Sequence, residues 1–297
     1  MLILLSAIWG SAFFAIKISV ETINPITVAS LRLIIGSIIL FLYFKYKDLK
    51  FIYSKKIIFQ IFLIGLIGNF IPFSLISWSE MYIQSNTAGL LLSVAPILTL
   101  IFSHFLTKDD KFSLLKFLSI IIGLIGVLFI FDIQNLIYKF DSSKFIIPKL
   151  FIIIAAFGYV ISSILAYNMR HMNSVTLTTF VTIFAALISI PFLIYFEFKS
   201  ISSYSFNSMI SLFYLGAFPT ALAFLIRFHI IAKAGPIFLS YVAYLIPVFA
   251  ILWGYIFLNE KINSSTLVGV ILILLGVFIS QKNLVMQKIT QKSIGNN

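Results

Sequence analysis

Ten apolar runs separated by short polar stretches divide the chain, near residues 2 to 20, 27 to 46, 57 to 78, 86 to 107, 113 to 131, 148 to 168, 175 to 195, 207 to 231, 237 to 258 and 265 to 280. Each approaches the roughly 20 residues of helix that cross the hydrocarbon core of a bilayer. The runs are apolar on every side and show no alternation of period two, so the pattern predicts helices rather than a barrel. The expected fold is an all-α integral membrane protein with ten transmembrane helices.

The pattern also repeats. Leu91-Leu92-Ser93-Val94-Ala95-Pro96-Ile97-Leu98 falls on Val242-Ala243-Tyr244-Leu245-Ile246-Pro247-Val248-Phe249 at an offset of 151, and Gly65 falls on Gly216 at the same offset. Further on, Asp110-Lys111-Phe112 falls on Glu260-Lys261-Ile262, and Gly126-Val127 on Gly276-Val277, at offset 150. Residues 2–131 and 148–280 therefore read as two copies of one five-helix unit. The polar link Asp132 to Pro148 lies between them, and residues 281–297 form a cytoplasmic tail expected to be disordered. An odd number of spans per copy makes the second cross the membrane in the opposite sense, and matched helix breakers in such inverted repeats point to a binding site between the halves.

Composition agrees with membrane insertion: 61% of the 297 residues are hydrophobic and 10% charged, with a mean hydropathy of +1.11. A soluble domain carries roughly 25% charged residues. The formal charge of +12 comes from basic residues in short loops instead of a stripe, which argues against nucleic acid as partner. Lys45, Lys47, Lys50, Lys55, Lys56, Lys108, Lys111, Lys116, Arg170, Lys233, Lys282, Lys288 and Lys292 fall on one side, and Lys139, Lys144, Lys149, Lys199 and Lys261 on the other. The richer side is the cytoplasmic one, and both termini lie there. The first run lacks a basic leader and a small-x-small cleavage site, so it reads as a retained helix. With no cysteine and three scattered histidines, no metal site or disulfide is expected.

Charge inside a span costs a few kcal/mol and makes a residue a functional candidate. Lys17, Arg32 and Glu80 fall in the outer third of the first three spans, and His104, Arg227 and His229 near the inner ends of the fourth and eighth. Two such clusters suit two gates, the outer one closed by Glu80 with Arg32 or Lys17. Beside this stands a plainer reading, in which long basic side chains snorkel to headgroups and the histidines sit at the interface. A second set surrounds the breakers. Pro96 and Pro247 interrupt their spans and free a carbonyl, and Pro72 and Pro219 bend two others. Ser93 and Tyr244 each precede a matched proline by three residues and so share its face; with Asn69, Tyr241 and Trp9 they offer donors and aromatic walls to a small amphipathic solute. Asp109-Asp110 reads as a helix cap, the alternative being a metal pair in an enzyme of lipid intermediates. The sequence holds no glycine-rich phosphate loop, HExxH or nucleophile elbow.

Trp9-Gly10-Ser11, Leu31-Arg32-Leu33, Pro96 with Asp110-Lys111-Phe112 ahead of Gly126-Val127, and in the second copy Pro247, Asn259-Glu260-Lys261-Ile262, Gly269 and Gly276-Val277, together resemble the EamA-type transporters of the drug/metabolite transporter superfamily. The second copy departs from the first, with Phe157-Gly158 for Trp9-Gly10 and Phe180 for Arg32. The resemblance implies a secondary carrier in a bacterial cytoplasmic membrane, without cofactor. It would export a small organic metabolite or toxic amphipathic compound by alternating access. Other classes kept beside it are a membrane-embedded transferase and a scaffold subunit that moves nothing; no feature assigns an oligomeric state.

Overall fold

A computed structural model describes residues 1–51, 53–83, 85–130, 146–197, 204–258, 264 and 267–279, and among these there is no strand. The tail, most of the link between the copies, and Asn259 to Ile262 lie outside the described residues. The helices are α1 (Leu2–Ser19), α2 (Pro25–Tyr46), α3 (Lys55–Ser79), α4 (Ser85–Leu92), α5 (Ala95–Leu106), α6 (Leu114–Ile130), α7 (Ile146–Asn168), α8 (Ser174–Glu197), α9 (Phe206–Ser240), α10 (Val242–Leu258) and α11 (Leu267–Ile279). Among the described residues seven spans are long and apolar enough to cross a membrane, α4 and α5 together making one of them, while α6 and α11 are shorter apolar helices. The chain is a multi-pass membrane protein. Large apolar side chains such as Phe14, Leu42, Phe59, Phe105 and Phe213 are exposed along the helices, as a lipid-facing surface requires.

Local chemistry sets where the helices begin. The Asn24 side chain accepts from Ile26 N ahead of Pro25, which starts α2 without an orphaned donor; Ser54 and Ser205 accept from the N–H groups of Ile57 and Ser208 at the starts of α3 and α9. The expected bends at Pro72 and Pro219 take a specific form. Residues Leu66–Phe70 of α3 and Gly216–Leu222 of α9 wind as π-helix, directly after or from the matched glycines Gly65 and Gly216. A π turn absorbs the backbone partner that a proline denies its neighbours.

The other proline pair is less symmetric than its sequence suggests. Pro96 starts α5 after a break at Ser93 and Val94, where a missing N–H leaves nothing unpaired, whereas Pro247 lies inside continuous α10. The chain breaks earlier in the second copy, at Gly235 with φ 88° and ψ 166°, backbone that only glycine adopts readily.

Packing runs between the two sequence copies. Helix α2 packs on α8, α3 on α7, α1 on α9 and α10, and α5 on α7. By the sequence correspondence, α1 against α9 is the counterpart of α7 against α3, and α2 against α8 is its own counterpart. The glycines repeat this reciprocity in atomic detail. A Cβ on Gly126 would come within 2.6 Å of the Gly269 carbonyl oxygen, and one on Gly276 within 2.6 Å of the Ser119 carbonyl oxygen. Ser119 and Gly269 correspond at the same offset of 150 as Gly126 and Gly276. Such an exchange of equivalent partners is compatible with a two-fold relation between the copies.

Alanine at Gly126 or at Gly276 should each cost about 1–3 kcal/mol, since the obstruction is backbone that cannot swing away. Gly89, with nothing within 4 Å of its added Cβ, is the control. Unfolding in detergent measures all three, and unchanged stability at both paired glycines would refute the close approach.

Candidate functional site

Between the halves lies a cavity of about 110 Å³, walled chiefly by apolar side chains such as Trp9, Phe13, Phe73, Ile76, Leu92 and Ile246. Two cations interrupt that wall: Arg32 of α2 and Arg227 of α9, 3% and 1% exposed. Arg32 Nε donates to Thr220 Oγ1 at 3.1 Å, and its guanidinium carbon stands 3.8 Å above the centre of the Phe73 ring. Thr220 is held in turn by donating to the Leu215 carbonyl at 2.8 Å, across the π segment. Arg227 Nη2 donates to Ser162 Oγ at 2.7 Å and Ser163 Oγ at 3.1 Å, both on α7. The rings of Phe224, Phe228 and Tyr159 lie 5.3 to 5.8 Å from its guanidinium carbon. The Phe73 and Phe224 rings, 5.7 Å apart, carry an aromatic contact from one arginine's platform to the other's.

Among the described residues no carboxylate answers either cation. Among the described residues the ion pairs are Lys116 with Asp110 and Arg170 with Asp109, and Arg227 Nη1 is buried without any partner. Snorkelling therefore does not describe Arg227: its side chain turns inward to serine hydroxyls and aromatic faces. Hydroxyls and π faces lower the cost of burying a charge without neutralising it.

Of the residues singled out by sequence, Trp9, Arg32 and Arg227 meet at this cavity, and Trp9 Nε1 donates to the Pro219 carbonyl at 3.1 Å. The face around the breakers is rotated from the one expected. Leu92, Ala95 and Thr99 line the cavity, while Ser93 turns back to the Leu90 carbonyl and Pro96 is buried elsewhere. Val242, Ala243 and Ile246 line it in the second copy. Tyr241 instead shares a 2.5 Å hydrogen bond with Ser119, Tyr244 packs its ring on Gly123, and Pro247 is buried outside the lining. Asn69, wholly buried in the π segment of α3, also lies outside the lining, and neither of its side-chain polar atoms has a partner. His229 is exposed, and His104 accepts from Phe112 N at 3.4 Å at an exposed helix end. Tyr159, the Ser162-Ser163 pair and Thr220 escaped the sequence reading. Adjacent serines in an apolar span are the sequence signal by which one of these groups could have been found.

Two buried carboxylates sit at opposite ends of the span formed by α4 and α5. Glu80 lies one residue past the end of α3, so it caps that span rather than lying within it. Its Oε2 accepts from Ser85 Oγ at 2.7 Å at the start of α4, its Oε1 has no partner, and its backbone carbonyl, not its carboxylate, receives the Lys17 ammonium. Arg32 is bonded elsewhere, so no Glu80–Arg32 pair closes the cavity. Asp110, expected to cap its own helix, reaches the other copy: Oδ1 pairs with Lys116 Nζ at 2.8 Å, and Oδ2 accepts from Ile237 N at 3.0 Å beside Gly235. Asp109 pairs with Arg170 instead, so the two carboxylates do not converge as a metal pair would.

The sequence profile described as the EamA-like transporter family matches residues 1–132 and 147–281. Similar chains include an uncharacterized transporter of Archaeoglobus fulgidus, 30% identical over 91% of this chain and 94% of its own. The uncharacterized transporter YoaV of Bacillus subtilis is 24% identical over 94% of both chains. Protein PagO of Salmonella typhimurium is 26% identical over 93% of this chain and 90% of its own. A solved crystal structure superposes with a TM-score of 0.74 at 17% identity, over 93% of this chain and 94% of that one, a likeness of fold.

Two outcomes follow from the carboxylates. Asp110→Ala strands the Lys116 ammonium and the Ile237 N–H, and should cost about 3–5 kcal/mol in detergent unfolding; an unaltered melt would show that Asp110 ties nothing down. Burial pushes the Glu80 carboxyl up from 4.5 to about 8, against the opposing effects of its Ser85 hydrogen bond and of Lys17. A proton held more tightly by the folded state stabilises fully below the free carboxyl's pKa, and that stabilisation is lost as pH rises through about 8. The wild-type melting temperature should therefore fall between about pH 6 and pH 9 by more than that of Glu80→Gln, and parallel curves would count against a buried carboxyl.

Proposed function

The chain belongs to the EamA-like transporter family, and on that premise we propose that it is a secondary carrier that moves a small organic solute across a bacterial cytoplasmic membrane by alternating access, in the direction of export. The observation that carries the reading is the cavity: a mostly apolar chamber with a few converging polar groups, set between two sequence copies whose contacts are exchanged reciprocally. In this reading ten helices form two inverted five-helix repeats, and both termini are cytoplasmic. Rocking one repeat against the other opens the same chamber first to one face and then to the other. The carboxylates at Ser85 and Ile237 suit such a motion, because each holds the start of a cavity-lining span at one end of the molecule.

The transferase reading needs Asp109 and Asp110 to share one ion. Each is paired with a different cation, so nothing favours that chemistry.

The test is flux. Purified protein in liposomes should exchange a labelled organic solute across the bilayer. Filling the chamber with Thr99→Trp should reduce exchange at least about tenfold in protein that still folds in detergent. Empty-vesicle rates for every solute offered would sink the carrier. The orientation has its own check. The chain has no cysteine, so single cysteines at Glu21 and at Lys47 give label without background. An impermeant maleimide applied to intact cells should reach the first and spare the second, and the reverse pattern would invert the proposed topology.

A further inference from the structure

We infer that the cavity selects organic anions with an apolar body and no ammonium group, an inference that rests on the carrier reading and narrows its solute. Arg32 and Arg227 come from different copies, yet both line one chamber. Among the described residues no acidic side chain lines it, and no carboxylate pairs with either guanidinium. Lys116, Arg170 and their partners satisfy one another elsewhere, so the shortage of counter-charge is local to the chamber.

The hydrogen bonds that the two arginines do make go to neutral hydroxyls of Thr220, Ser162 and Ser163. These groups orient the cations and leave their charge uncompensated. Arg227 keeps Nη1 without a partner although it is buried. A guanidinium forms its strongest hydrogen bonds with an oxyanion, in paired geometry that an ammonium or an amide cannot supply.

The same wall argues against the other solute classes. An amphipathic cation would enter a chamber that already holds two positive charges. A zwitterion would meet donors for its carboxylate and only hydroxyl oxygens, such as those of Thr99 and Ser240, for its ammonium. Trp9, Phe13, Phe73 and Ile76 offer the remainder of the solute an apolar surface, so a small hydrophilic anion gains little from the site. A carboxylate on an aromatic or aliphatic body satisfies both features. A phosphate monoester on such a body shares the chemistry.

The experiment is titration calorimetry on the full chain in detergent with acids and amines of matched bodies: 4-phenylbutyrate against 4-phenylbutylamine, hexanoate against hexylamine, and homophenylalanine as the zwitterion. Phenyl phosphate separates phosphate from carboxylate preference. The acids should bind at least about tenfold more tightly than the amines, with homophenylalanine between them. Arg227→Gln should lose about tenfold or more in acid affinity, and Arg227→Lys should restore part of it, which a merely structural role would not do. Amines that bind as well as acids, acids and phosphate that do not bind at all, or Gln and Lys variants with wild-type affinity would each overturn the inference. Where a variant fails to fold, the wild-type preference between acid and amine decides alone. Flux keeps the two readings apart: selective acid binding without transport removes the carrier and leaves the anion site, whereas transport of amines or zwitterions alone keeps the carrier and removes the anion site.

Discussion

Burying two guanidinium groups without a carboxylate is the constraint around which the middle of this molecule is arranged. A lone charge in a low-dielectric interior is costly, and breaking a partial set of contacts around it costs several kcal/mol more. The neighbourhood of each arginine shows how that cost is lowered. Thr220 is free to accept from Arg32 because its own hydroxyl proton goes to Leu215, across a π turn that brings the two together. Ser162 and Ser163 stand side by side on α7 and accept from a single nitrogen of Arg227. Phe73 supplies a face to one cation, and Phe224 and Phe228 supply faces to the other. The π-helical turns, the serine pair and the aromatic lining thus answer one electrostatic problem.

That arrangement depends on the two halves being built into each other. Arg32 reaches across to Thr220 of the other copy, while Arg227 is held by Ser162 within its own copy and meets Arg32 only at the shared chamber. The close glycine contacts let backbones meet where ordinary side chains would hold the helices apart. Reciprocity at the backbone contrasts with asymmetry in the chamber. Phe180 stands where the repeat would place a second Arg32, and Ile76 of the lining stands where it would place a second Arg227. The chamber between the two sequence copies is therefore chemically one-sided, with both cations in one wall system. Duplication supplies the geometry of the chamber, and divergence supplies its charge.

How much of this was legible in the sequence follows from the range of the forces involved. Helix positions were legible, because twenty apolar residues report a bilayer thickness without reference to neighbours. The repeat and its glycines were legible too, since backbone approach permits almost no other residue type. The lining was read one face out of register. Ser93 and Tyr244 share a helical face with the matched prolines, but the chamber is lined by the neighbouring face, Leu92 with Thr99 and Ala243 with Ile246, and which side of an all-apolar helix turns inward leaves no periodic trace. Arg227 could be flagged by depth alone. Its inward orientation depends on Ser162, sixty-five positions away, and no local pattern encodes that partner. Asp110 was misplaced for the same reason: the acceptor role was legible, while the donor at Ile237 belongs to the other copy.

The two carboxylate ties differ in strength, and the difference bears on how such a fold holds one shape. Ser85 and Pro236 correspond at offset 151, so Glu80 and Asp110 meet the equivalent starts of equivalent spans at opposite ends of the molecule. At one end Asp110 is doubly engaged, by an ammonium and a backbone N–H, against glycine backbone that other residues resist. At the other Glu80 makes one side-chain hydrogen bond and leaves an oxygen unpartnered. A single hydrogen bond contributes about 1 kcal/mol, and removing one member of a buried ion pair costs about 3–5. The end at Asp110 is therefore the firmly held one in this conformation, and the end at Glu80 the one closer to release. Under the proposed alternating access that ordering has to be reversible, which requires the ties to differ by only the few kcal/mol that separate two packings of one fold. An ion pair at one end and a lone hydrogen bond at the other fall within that range.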